Sequence, residues 1–196
     1  MKLAYRQLLE ARRQALHQEL EGALAGREEL VWEVGCGHGH FLTAYAAAHP
    51  AECCIGIDLV GERIERARRK QRRAGLPNLH FLHGEARLFL EVMPAEARLT
   101  RLFVLFPDPW PKLRHQKHRI LQAPFLEMVA ARAAPGCRLC FRTDYQPYFE
   151  EAQVTVSAHP QWKLVDETWP FEFTTVFQQR ASGFHSLIAA RQANDH

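Results

Sequence analysis

The stretch LVWEVGCGHGHF, residues 30–41, sets a carboxylate, Glu33, two residues ahead of the glycines Gly35, Gly37 and Gly39. Glycines at alternate positions permit a tight turn and let a ligand approach the backbone closely. The pattern departs from the dinucleotide fingerprint G-x-G-x-x-G, because position 40 is His. Glu33 argues further against a pyrophosphate, which it would repel, and for a ligand that carries positive charge. S-adenosyl-L-methionine, with a sulfonium and an ammonium, meets that requirement. Asp58 lies about twenty residues beyond the last glycine, where an acid accepts hydrogen bonds from ribose hydroxyls. Glu85, further on, is suited to accept from the amino group of an adenine. A nicotinamide dinucleotide is disfavoured by the same residues.

A second segment, FPDPWPKLRHQKHR (Phe106 to Arg119), has three prolines in five residues, which fix three φ angles. Asp108 and Trp110 each precede a proline and are expected in extended conformations. Such a loop is stiff and loses little entropy when a ligand orders it. It offers Asp108 as a polar group for a base edge, Trp110 as a stacking surface, and a basic tail for phosphates, which are the needs of a site that takes a flipped base. Lys112, Arg114, Lys117 and Arg119 make up that tail, with His115 and His118 among them. A second basic run holds Arg63, Arg66, Arg68, Arg69, Lys70, Arg72 and Arg73. One such run is ordinarily a solvated face. Two in a chain of net charge only +3 point to an anionic polymer as partner.

These residues have to be positioned by regular elements. Residues 3–22 read as an amphipathic helix, with Leu8, Leu9, Leu16 and Leu20 near the helical period. A strand over Leu30 to Val34 enters the glycine loop, and a helix then runs to about Pro50. A strand CCIGI ends at Asp58. The helix over 61–74 stops at Gly75 and Pro77. A third strand over Leu79 to Leu82 leads to Glu85, and a fourth, RLFVLF, ends at Pro107 to Pro111. A helix near 119–133 precedes a fifth strand over Arg138 to Phe141. One more helix beyond Asp144 is followed by strand-like segments near 162–168 and 184–190. Strands alternating with helices imply an α/β fold: a doubly wound, mostly parallel sheet covered on both faces. Ligands bind such sheets outside the carboxyl ends of the strands, at the switch point in strand order. Glu33, Asp58, Glu85, Asp108 and Asp144 all fall at or just beyond strand ends, which calls for one common explanation.

No apolar run approaches the roughly 20 residues that cross a membrane. The start, MKLAYRQLLEARRQ, shows no apolar block with a cleavage site, so a cytoplasmic protein with reduced cysteines is expected. Cys137 and Cys140 have C-x-x-C spacing, but they lie in a strand-like run where residues three apart face opposite ways. Buried thiols are expected there, and no metal.

The segments WEVGCGHGHF, GID, GLPNLHFLHGEA, FPDPWPKLRHQKHR, RTDYQPY and TTVFQQR together resemble the bacterial tRNA (guanine-N7)-methyltransferase family over roughly Leu30 to Arg191. The PDPWPK-x-RH-x-K block is the most specific part. The resemblance implies the class I methyltransferase fold, a Rossmann-like sheet of seven strands with the last antiparallel. It divides the chain into an amino-terminal helical extension, 1–29, and a methyltransferase domain, 30–196. It implies S-adenosyl-L-methionine as cofactor, tRNA as partner and methylation of guanine-N7, usually in the variable loop, by a monomer or homodimer. Matched position by position, Glu33, Gly35, Gly37, Gly39, Asp58, Glu85 and Asp108 bind the cofactor, and Asp108 is also catalytic. Lys112, Asp144 and Thr175 match the family's substrate contacts, with Gln178 at the last position of the Thr175 motif, and Arg114 beside Lys112 is a further donor expected to read the guanine carbonyl oxygen. Three departures stand out: Glu85 replaces the more usual Asp, the T-x-[FY]-E motif ends here in Gln178, an amide in place of an acid, and the amino-terminal helix is unlike the longer, arginine-rich leader of many members.

Overall fold

The computed structural model describes residues 2–174 and 183–193. In chain order the elements are α1 (Lys2–Leu24), β1 (Glu29–Val34), α2 (His40–Ala48), β2 (Cys54–Asp58), α3 (Gly61–Ala74), β3 (Leu79–His83) and α4 (Ala86–Val92). They continue with β4 (Arg98–Leu105), a 3-10 turn (Leu113–His118), α5 (Ala123–Arg132), β5 (Ala133–Thr143), α6 (Gln146–Ser157), β6 (Trp162–Val165) and β7 (His185–Arg191). One sheet of seven strands runs in the order β3-β2-β1-β4-β5-β7-β6. The first five strands are mutually parallel, and β7 lies antiparallel between β5 and β6.

Side-chain alternation along each strand feeds two cores. In β1, Leu30 and Trp32 enter a core shared with α1, α4, α5 and α6. Val31 enters the opposite core, with Phe41, Leu42 and Tyr45 of α2 and Ile64 and Ala67 of α3. Trp32 is fully buried and stacks on Phe89 of α4, ring centroids 4.5 Å apart. Cys137 belongs to the first core and Cys140 to the second, as the strand period requires. All five cysteines are buried and free.

Helix limits follow local chemistry. In α3, Glu62 lies in the first turn and Arg72 and Arg73 in the last, each matched to the helix dipole. Gly75 ends the helix at φ +63°, its N–H donating to the Gln71 and Arg72 carbonyls. Helix α4 was not foreseen, although Ala86, Phe89 and Leu90 carry an i, i+3, i+4 pattern and are buried. At seven residues it is too short for periodicity to stand out. The expected helix near 119–133 begins only at Ala123, because residues 113–118 form the 3-10 turn.

In α1, Leu16 and Leu20 are buried against the sheet, whereas Leu8 and Leu9 are 50% and 40% exposed. The second half of α1 therefore forms part of the main core. Leu20→Ala is expected to lower stability by about 2–5 kcal/mol in urea melts, and Leu8→Ala by less than about 0.5. Equal, small losses at both positions would mean that α1 does not pack as described.

Candidate active site

The carboxyl ends of β1 to β5 open on one edge, and connections depart in opposite directions on either side of the β1–β4 pair. A crevice is expected at that switch point. The glycine loop leaves β1 there. The Gly35 and Cys36 amides donate to the Ile57 carbonyl of β2 at 2.9 and 3.0 Å, and the Gly39 amide donates to the Cys36 carbonyl. Gly35, Gly37 and Gly39 all have positive φ, which side chains rarely adopt. At Gly35 and Gly37 an added Cβ would meet nothing within 4 Å, so the loop backbone faces open space. At Gly39 the same atom would lie 2.4 Å from the Phe81 ring. The last glycine thus serves packing, and the first two serve access.

Asp58 is buried at the end of β2. Its Oδ2 accepts from the Gly37 amide at 3.0 Å and its Oδ1 from the Val60 amide at 2.8 Å. Each oxygen keeps a second lone pair, so two ribose hydroxyls can still be received. Glu33 is also buried, and its Oε2 has no hydrogen-bond partner among the described residues. Burial, aided by the nearby Asp58 charge and opposed by the Leu42 backbone amide, raises its pKa from 4.5 to about 8. An acid so placed holds its proton until a cation arrives. The arrangement fits a sulfonium or ammonium ligand and leaves a pyrophosphate unfavourable. Burial and the same two acids also push the Cys36 thiol well up, so it stays neutral.

Glu85 is exposed at the N-cap position of α4 and makes no capping hydrogen bond. Asp108, Lys112, Arg114 and Asp144 are exposed as well. The ends of β4 and β5 are joined by the Phe106 amide, which donates to the Arg142 carbonyl at 2.8 Å. Asp108 and Asp144 each lie two residues beyond that bond, so both acids leave the sheet from one place. Thr175 and Gln178 fall outside the described residues.

Three sequence expectations need correction. Trp110 does not adopt the extended backbone expected before Pro111. Its φ is +43°, and its ring packs beside His115 and His118 at 5.8 and 5.2 Å. Arg119 is no part of an exposed phosphate tail, because it is only 2% exposed and turns inward to the Pro109 carbonyl. Arg68 likewise leaves the outer face of α3, pairing with Glu19 of α1 and donating to the Phe81 carbonyl. The outer face keeps Arg63, Arg66, Arg69, Arg72 and Arg73 exposed. Lys70 reaches from it to the glycine loop, donating to the His38 carbonyl at 2.9 Å. Desolvation, together with Arg66, Arg63 and Lys70 and opposed by Asp58, lowers the His38 pKa.

Arg142 was not among the expected site residues. It is buried at the end of β5, gripped by both oxygens of Glu172 and by Ser186. Its guanidinium lies 3.8 Å over Trp169 and 4.7 Å over Phe184. In the sequence it stood out only as the first residue of the RTDYQPY segment and as a charge at the end of an apolar strand. Among the described residues no group of three His, Cys, Asp or Glu could hold a metal ion. No described helix is long and apolar enough to cross a membrane.

The strand order with a single antiparallel member, and the glycine loop flanked by acids at the switch point, define a class I methyltransferase fold. Solved structures share it. NSun6 from Pyrococcus horikoshii aligns over 93% of this chain and 52% of its own, with TM-score 0.65 and 15% identity. The antibiotic-resistance methyltransferase Kmr aligns over 89% and 93%, with TM-score 0.57 and 23% identity. At these identities the likeness is one of fold. The chain belongs to the family whose model, described as "Putative methyltransferase", matches residues 27–186. A tRNA (guanine-N(7)-)-methyltransferase of Streptomyces coelicolor is 37% identical over 138 residues, 68% of this chain and 49% of the relative. One of Sodalis glossinidius is 40% identical over 136 residues, 69% of this chain and 57% of the relative. The chain thus spans about half the length of the curated relatives it matches.

The raised pKa of Glu33 has a thermodynamic sign. Without ligand, ionising this buried acid costs stability, and the cost grows as pH rises from 4.5 towards about 8. A cation bound beside it reverses the preference and expels the proton. Below about pH 8, titration with S-adenosyl-L-methionine in buffers of different ionisation enthalpy should report proton release, and Glu33→Gln should abolish it and weaken binding. Release that persists unchanged in Glu33→Gln would assign the proton to another group.

Proposed function

We propose that this chain transfers a methyl group from S-adenosyl-L-methionine to guanine-N7 in tRNA, at a guanosine of the variable loop. The observation that carries the cofactor is the buried, unpartnered oxygen of Glu33 beside an open glycine loop. Curated relatives that match two thirds of the chain bear the name tRNA (guanine-N(7)-)-methyltransferase, which supports the substrate. Residues 30–196 act as the methyltransferase domain, with 1–29 as its helical extension, in the cytoplasm.

Bound S-adenosyl-L-methionine would supply an electrophilic methyl group on a sulfonium. Glu33 balances its positive charge, Asp58 receives its ribose hydroxyls through the free lone pairs, and Glu85 accepts from the adenine amino group. Gly35 and Gly37 leave the backbone open to it, and Gly39 holds the turn against Phe81. Guanine-N7 has a lone pair and no proton, so attack on the methyl needs no general base. The task left to the chain is alignment, which can be worth on the order of 7–11 kcal/mol. Asp108, carried on the proline-rich loop, accepts from the donor edge of guanine and balances the charge that methylation creates. Lys112 and Arg114 donate to the acceptor edge, where the ring nitrogen lies beside the carbonyl oxygen. Asp144, Thr175 and Gln178 complete the substrate contacts. Arg63, Arg66, Arg69, Arg72 and Arg73 track phosphates.

Transfer of labelled methyl to an unmodified tRNA transcript, with recovery as 7-methylguanosine by nucleoside mass spectrometry, tests the reading directly. Cofactor binding with no label in tRNA would redirect the fold to another substrate. Asp108→Ala should lower kcat on the order of 100-fold with cofactor affinity little changed, and intact turnover would remove Asp108 from catalysis. The double variant Arg66→Gln, Arg73→Gln should reduce the salt slope of tRNA binding by about 2, about one for each lost phosphate contact. An unchanged slope would move the RNA off α3.

A further inference from the structure

Arg119 is the least exposed arginine at the working edge, with 1% of its side chain accessible, and no role described so far uses it. A buried guanidinium is costly unless its donors are met. Its partners come from two parts of the edge. Nε donates to the Pro109 carbonyl at 2.9 Å, the residue covalently next to Asp108. The other end pairs with the Glu151 carboxylate of α6. The guanidinium carbon lies 4.8 Å over the Tyr148 ring and 5.8 Å over the Tyr145 ring. The Tyr148 hydroxyl in turn accepts from the Leu121 amide at 3.0 Å, and the Arg119 amide itself donates to the Gln116 carbonyl. The side chain thus ties the proline-rich loop to α6, and the backbone amide of the same residue closes the 3-10 turn.

The Pro109 carbonyl belongs to the peptide plane that leads into Trp110, whose φ of +43° is strained for a residue before proline. A hydrogen bond from a buried, charge-paired donor fixes that plane and opposes relaxation to the extended form. The clamp also joins the two acids. Asp108 precedes Pro109, and Asp144 immediately precedes Tyr145, which caps α6. Lysine cannot reproduce this, because only a planar fork can serve a carbonyl through Nε and a carboxylate through Nη while stacking on a ring. Nη2 is buried without a hydrogen-bond partner among the described residues, so geometry, and not full satisfaction of donors, accounts for the residue.

We propose that Arg119 is a positioning residue for methyl transfer: through the Pro109 carbonyl it holds Asp108 in register with Asp144 and α6. The proposal rests on the reading of Asp108 and Asp144 as substrate-handling acids.

The test compares wild type, Arg119→Lys and Glu151→Gln in tRNA methyl transfer. Cofactor affinity is followed by calorimetry, and the Trp110 signal by fluorine NMR of 5-fluorotryptophan protein, assigned with Trp110→Phe. Arg119→Lys keeps a charge for Glu151 but loses the Nε donor. It should lower kcat on the order of 100-fold, leave cofactor affinity unchanged and shift or broaden the Trp110 resonance. A merely structural role would lower thermal stability while sparing kcat in the folded fraction. Should Arg119→Lys fail to fold, Glu151→Gln, altered at a partly exposed site, is read the same way with a smaller loss expected. Wild-type kcat with an unmoved Trp110 resonance overturns the proposal. Absence of transfer by the wild-type protein overturns the methyl-transfer reading instead, and the fluorine signal then decides the clamp by itself.

Discussion

Sealing both faces of a parallel sheet leaves its strand ends as the natural place for polar chemistry. β1 to β5 run the same way and are covered by α1, α4, α5 and α6 on one side and α2 and α3 on the other. The faces are closed by Trp32, Phe89 and Phe125 on the first side and by Phe41, Tyr45 and Phe103 on the second. Strand interiors pack chiefly against apolar neighbours, with Arg101 of β4 and Arg138 of β5 met by Glu52 and Glu167, and the carboxylates and glycine turns of the site stand at the open edge, where backbone amides are free to receive them. Asp58 shows this directly, because the two amides that satisfy it, Gly37 and Val60, belong to loops and not to the sheet ladder.

Charge at that edge is sorted by depth. The acids Glu33 and Asp58 lie inside, while exposed cations stay on the outer face of α3 and along Lys112 to Lys117. Two arginines break the rule. Arg119 and Arg142 are buried, each held by a carboxylate and aromatic faces, and each next to a loop that leaves the edge. A buried guanidinium left without its partners is costly, so these sites favour a single arrangement of the loops. Arg142 adds a direct link, since its carbonyl receives the Phe106 amide while its guanidinium stacks on Phe184, itself 6.0 Å from the Phe106 ring.

Much of this was legible in the chain. The alternation of apolar strands with helices, the stop of α3 at Gly75, and the glycine loop after β1 follow from periodicity and from backbone rules that act within a few residues. The acids Glu33 and Asp58 were recognisable because their spacing from the glycines is itself local. Helix α4 escaped because seven residues give barely two turns of signal. The split of the expected 119–133 helix escaped because a 3-10 turn and an α-turn differ little in residue preference.

What the sequence by itself determined is the order of elements, the parallel sheet and the residues delivered to its carboxyl edge, since each depends on neighbours a few positions apart. Only the tertiary structure decided which charges are usable. Arg114 and Arg119 lie in one basic run, yet one is exposed and the other closes on Pro109 and Glu151. Glu33 and Glu85 both read as cofactor-binding acids at strand ends, yet burial raises the pKa of the first to about 8 while the second remains at the surface. Desolvation and pairing depend on what packs across from a residue, and packing partners such as Glu151 or Phe81 are separated from it by tens of positions that no local pattern encodes.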